Sequence, residues 1–257
     1  MGTKSIWKNN KLSFFDPGID STHPTGVWAT CPNLELLCNP QIGFIFFEDF
    51  LRMQGDETAT TNLDGWTLTQ ASTGAVNLSD DAKGGVLELD SNSTTEAYGA
   101  QIQYTEGTLP FLPAANKDIW YECRIKIEDT YDKCELFAGL SAVDTSIIAG
   151  SDMTSANHIG FECHTDNGVV LFGAEKAGTE ATPLSACTLV EDTYVRLGFH
   201  VHGVTSIDYF VDGVKQSSTI LTANIPIVGL TPSFVCQSGG TNDPIMHIDW
   251  FKCVQLR

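Results

Sequence analysis

Short-period alternation of apolar and polar residues constrains this chain more than any other feature. Val195, Leu197, Phe199 and Val201 alternate with Tyr194, Arg196, Gly198, His200 and His202. The chain then closes on Met246-His247-Ile248-Asp249-Trp250-Phe251-Lys252-Cys253-Val254-Gln255-Leu256-Arg257, a strand pattern that draws the C-terminus into the fold. Successive side chains of a strand point to opposite faces, so such runs build sheets with one dry face. At least ten runs of this kind follow residue 43, none with a sustained 3.6-residue period, which predicts two sheets packed face to face. Asp212-Gly213 follows Phe210-Val211, where a type I′ hairpin needs two residues of positive φ.

The first 43 residues read differently. Pro17, Pro24, Pro32 and Pro40 interrupt them at short intervals, and proline removes ladder donors from central strands. Trp7, Phe14, Phe15 and Trp28 are nevertheless large apolar groups. The expected organisation is an extended N-terminal arm over 1–43 and a sandwich over 44–257. Lys4, Lys8 and Lys11 make the first 15 residues basic, which leaves −21 of the net −18 to the remainder. A body this acidic repels phosphate backbones and argues against nucleic acid. No run of 18 apolar residues predicts a membrane span. The polar start of the chain does not read as a secretory signal. Among the 8 cysteines, Cys123 and Cys163 share faces with Ile, Phe or Tyr and are expected buried and reduced. Cys31 and Cys38 flank a proline loop and are the candidates for pairing.

Ile125-Lys126-Ile127, Ser206-Ile207-Asp208-Tyr209-Phe210-Val211-Asp212-Gly213 and Ile248-Asp249-Trp250-Phe251-Lys252 together resemble the concanavalin A-like lectins and glucanases, over roughly residues 44–257. The resemblance implies an all-β, two-sheet antiparallel jelly-roll sandwich carrying the extended N-terminal arm. The superfamily spans legume lectins, laminin G-like modules, family 16 glycoside hydrolases and tailed-bacteriophage virion proteins.

Retaining glucanases of this fold need two carboxylates about 5–5.5 Å apart, arrayed as E-x-D-x-E or E-x-D-x-x-E. No such array occurs, and the acidic pairs Glu48-Asp49, Asp80-Asp81, Glu128-Asp129 and Glu191-Asp192 are adjacent, hence on opposite faces. Glu162 has only Asp166 near it in sequence. His200 and His202 share one strand face, and His158, Glu162 and His164 another, so neighbouring strands would form a His-rich metal site. Exposed histidines on a polar face explain the same pattern, and no catalytic residue, essential metal or cofactor is assigned. The resemblance leaves room for a structural calcium, with Asn77, Asp80, Asp81, Asn242 and Asp243 as acidic-turn ligands.

The function expected from these readings is a non-enzymatic virion protein, a capsid decoration or cement protein of a tailed bacteriophage, on the capsid surface after folding in the host cytoplasm. Its partners would be the major capsid protein and sister subunits, with Lys4, Trp7, Lys8, Lys11, Phe14 and Phe15 as intermolecular contacts and no membrane or nucleic acid. The alternative is a carbohydrate-binding, lectin-like module for tail or host recognition, with Trp66, Trp120 or Tyr98 as aromatic platforms for glycans.

Overall fold

The computed structural model describes residues 4–8, 11–15, 26–51, 65–79, 84–106, 110–129, 131–149, 152–164 and 167–257. A hairpin of β1 (Lys4–Lys8) and β2 (Lys11–Phe15) opens the chain. A six-residue helix, α1 (Asn33–Cys38), precedes β3 (Gly43–Glu48), β4 (Trp66–Ala71), β5 (Ala75–Leu78) and β6 (Leu87–Asp90). Then come β7 (Gly99–Tyr104), β8 (Ile119–Glu128), β9 (Cys134–Ser141) and the two-residue strands β10 (Ile148–Ala149) and β11 (Asp152–Met153). Next are β12 (Asn157–Cys163), β13 (Val169–Lys176), β14 (Thr179–Glu180) and β15 (Leu184–Thr188). The chain ends with β16 (Val195–His202), β17 (Ser206–Val211), β18 (Val214–Leu221), β19 (Thr231–Ser238) and β20 (Ile245–Leu256).

Two eight-stranded antiparallel sheets result. The first runs β14-β13-β12-β9-β19-β7-β4, with β15 also paired to β13; the second runs β18-β17-β16-β8-β20-β6-β5, with β3 also paired to β20. The alternation seen in the sequence becomes the core. Leu197, Phe199 and Val201 of β16 meet Phe161, Phe172 and their neighbours from the other sheet, all with no solvent exposure. Tyr121 stacks on Phe199 at 4.7 Å and Trp66 meets Phe251 edge-on at 5.6 Å, the geometries that ring quadrupoles favour. Each such side chain contributes about 1.5–3 kcal/mol by leaving water. Asp212 and Gly213 have φ of 49° and 77°, the two positive values of the expected type I′ hairpin.

Residues 26–42 lie against the outer face of the second sheet. Val27 and Leu36 pack with Trp120, Phe210 and Val254. Trp28 donates its indole N–H to Glu122 at 2.6 Å, and the Lys252 ammonium sits 4.2 Å from the Trp28 ring centroid. Trp120 donates to the Thr30 hydroxyl at 3.1 Å and stacks on His200 at 4.6 Å. Part of the segment read as an arm therefore covers a sheet, and it explains why polar groups such as Glu122 and His200 are only about 4% exposed. The side chains of Lys4, Trp7, Lys8, Lys11, Phe14 and Phe15 lie outside the described residues.

Candidate functional site

The outer face of the first sheet carries most of the unexplained polar chemistry. Its strands present Gln101 and Gln103 from β7, Gln237 from β19, Glu135 and Phe137 from β9, His158 and Glu162 from β12, and Glu175 from β13. The connection between β9 and β12 folds back over this face. Phe137 and Val235 pack against Ile147 and Ile148, while the Gln101 amide donates to the Asp144 carbonyl at 2.6 Å and accepts from the Ile147 N–H at 2.9 Å. Gln103 likewise donates to Ala142 at 3.1 Å and accepts from Asp144 at 2.9 Å. Two glutamines thus satisfy backbone groups of the connection that lie outside its short β10–β11 ladder.

Gln237 differs. Its amide nitrogen reaches the Ile148 carbonyl at 3.4 Å, but its amide oxygen has no hydrogen-bond partner although the residue is only 7% exposed. Gln237 lines a pocket of about 170 Å³ together with Thr69, Gln70, Gln101, Thr145 and Ser146. The named lining groups are amides and hydroxyls without formal charge. Buried acceptors are normally paired, so this enclosed orphan beside the pocket stands out. Tyr98, 38% exposed, follows Ala97 of the pocket lining.

Further along the same face, His158 Nε2 lies 3.6 Å from Glu162, both with no exposure, and Glu175 approaches His158 Nδ1 at 3.9 Å. His164 stands 4.0 Å from the other Glu162 oxygen. One ligand atom each of His158, Glu162 and Glu180 lie within 4.8 Å of one another. Burial and the Glu162 charge push the Glu180 carboxyl up, and burial raises Glu175. Burial pulls His158 down, but Glu162 more than restores it, so its pKa stands above the ordinary value. A carboxylate cluster exists after all. It was invisible along the chain because its members come from β12, β13 and β14.

The second histidine group is on the other sheet, so the two H-x-H-type faces do not combine. Asp118, His200 and His202 offer ligand atoms within 4.8 Å of each other. Each histidine nitrogen contact there is satisfied internally: His200 bonds Asp118 at 3.1 Å and meets the Thr30 hydroxyl at 3.4 Å, and His202 bonds Asp208 at 2.9 Å. Burial and the neighbouring His202 lower His200 to about 4. Of the calcium candidates, Asp243 is engaged by Ser91 and by the Ser93 N–H, and Asp80 and Asp81 lie outside the described residues, as does Asp166. Trp66 and Trp120 are each 2% exposed and cannot serve as sugar platforms; the first is core and the second lies under residues 26–42.

No family model and no curated protein matches the chain. Solved structures do. A protein of unknown function from Shewanella oneidensis MR-1 superposes with a TM-score of 0.56 at 14% identity, covering 94% of this chain and 97% of that one. A glycoside hydrolase family 16 endo-glucanase from Bacteroides ovatus gives 0.54 at 15% identity, over 81% of this chain and 99% of the enzyme. The globular domain of T. cruzi calreticulin gives 0.51 at 13% identity, over 80% and 86%. These neighbours correct two expectations. The fold is shared with glucanases and calreticulin rather than with capsid decoration proteins, so the virion reading loses its footing. The exclusion of enzymes fails as well, because catalytic glucanases share this fold and the missing-carboxylate argument overlooked cross-strand neighbours. The chain has the concanavalin A-like jelly-roll fold common to family 16 glucanases and lectins.

Proposed function

We propose that this protein recognises carbohydrate, and that the pocket beside Gln237 receives a sugar unit. The observation that carries the reading is the unpartnered Gln237 amide oxygen beside an uncharged pocket lined by amides, hydroxyls, three alanines and Ile148. A sugar hydroxyl is a donor of the right size for it, and a neutral hydrogen-bonding wall suits a polyol better than an ion. The fold neighbours support a glycan over other polyols, since several are described as acting on β-1,3-1,4-glucan or mixed-linkage glucan.

The intact chain is applied to a glycan array that includes mixed-linkage β-glucan oligosaccharides. Retention on a defined set of glycans, lost with Gln237→Ala, is expected. An array without signal, or signal unchanged by Gln237→Ala, removes the pocket as a sugar site. Reducing ends are measured in the same incubations. Their release, abolished by Glu162→Gln, extends the reading from recognition to hydrolysis.

A further inference from the structure

We propose that His158, Glu162 and Glu180 form a binding site for a divalent transition metal of the zinc type, on the outer face of the first sheet and separate from the Gln237 pocket. The site begins with two missing side chains. Gly160 and Gly173 face each other across β12 and β13, between the pairs His158–Glu175 and Glu162–Leu171. Four residues along a strand span about 13 Å, so His158 and Glu162 would not normally meet. Here they come to 3.6 Å, with the Glu162 carboxylate over Gly173 and the Phe137 ring over Gly160. A Cβ on Gly173 would stand 2.9 Å from a Glu162 oxygen, so the floor is needed for the approach.

The proton bookkeeping then points to a cation. His158 Nδ1 lies 2.9 Å from the Ser155 carbonyl, which can only accept, so the ring proton sits on Nδ1. Nε2, the other ring nitrogen, faces the Glu162 carboxylate at 3.6 Å. Neither Nε2 nor either Glu162 oxygen has a hydrogen-bond partner, and both residues have no solvent exposure. A dry nitrogen and carboxylate at this distance need a positive charge between them, and a ring proton and a metal ion compete for that place. Among the described residues no Lys or Arg pairs with Glu162, Glu175 or Glu180, which leaves three carboxylates beside His158 and, at 4.0 Å from Glu162, His164.

The spacing suits zinc. Bonds of about 2.0–2.1 Å at a tetrahedral angle place ligand atoms about 3.4 Å apart, close to the observed His158–Glu162 separation. The contact from Nδ1 to a backbone carbonyl is the usual way a metal-binding histidine is held in its tautomer. Glu180 brings the third ligand from the exposed side, leaving the fourth position to water. The Asp118–His200–His202 group lacks these marks, because both His200 nitrogens and His202 Nε2 already have partners.

The intact chain is stripped with EDTA and titrated with ZnCl2 or CoCl2 alone. Stoichiometric binding is expected, with visible absorption characteristic of four-coordinate cobalt that zinc abolishes. Glu180→Gln changes an exposed residue and leaves the fold intact; it should weaken zinc binding at this site by at least about tenfold. His202→Ala, on the other sheet, should leave that binding unchanged. No stoichiometric binding by the wild-type chain overturns the proposal, and so does zinc binding that keeps its full strength and stoichiometry in Glu180→Gln. The Gln237→Ala variant binds zinc normally on this account, so failure of the sugar reading and failure of the metal site are distinguishable.

Discussion

At the scale of single residues, burial decides which side chains are chemically available. Cys123 sits in β8 between Tyr121 and Ile125 with no exposure, and burial pushes its thiol up to about 12. Cys134, Cys163, Cys236 and Cys253 are equally enclosed, whereas Cys38 is exposed, and Cys31 is not bonded to it. A thiol reagent is therefore expected to modify Cys38 quickly in the native protein and the five enclosed cysteines only after unfolding. Fast native labelling of Cys123 would contradict its place in the core. Cys123→Ala should cost about 1–2 kcal/mol in urea unfolding, as a small cavity does. The fate of Cys123 and Cys163 was legible because a strand face is read directly from every second residue. The partners of Glu162 were not, since Glu175 and Glu180 are brought to it by register, and Gly173 contributes by having no side chain.

At the scale of elements, legibility follows the contrast between the two faces of a strand. β16 and β20 have one dry and one polar face and stood out in the sequence. β18 did not, because Val214-Lys215-Gln216-Ser217-Ser218-Thr219 is polar on both sides, as suits an edge strand paired only with β17. Residues 26–42, read as part of an extended arm, dock on the second sheet. Their prolines exclude a central strand but do not prevent docking through a few large groups. Trp28 is the main anchor, holding Glu122 and the Lys252 ammonium at once. Trp28→Ala should destabilise the protein by about 2–4 kcal/mol, because it removes an aromatic contact and leaves the mostly buried Glu122 carboxylate without its donor. A change below about 0.5 kcal/mol in chemical denaturation would show that this segment is not held by that anchor.

At the scale of the whole molecule, two sheets share one core but have unlike outer faces. The second sheet is covered by residues 26–42 over Trp120, Phe210 and Val254. The first is covered by the β9–β12 connection, whose backbone is satisfied by Gln101 and Gln103 but leaves the Gln237 oxygen unpaired. The carbohydrate proposal rests on that unpaired oxygen beside its pocket. The most direct test is calorimetric titration of the intact chain with mixed-linkage β-glucan oligosaccharides, with Gln237→Ala alongside. The account predicts saturable binding by the wild-type protein and a loss of about tenfold in the variant, the worth of a hydrogen bond to a buried group. Equal heats and equal affinities for the two proteins would contradict it.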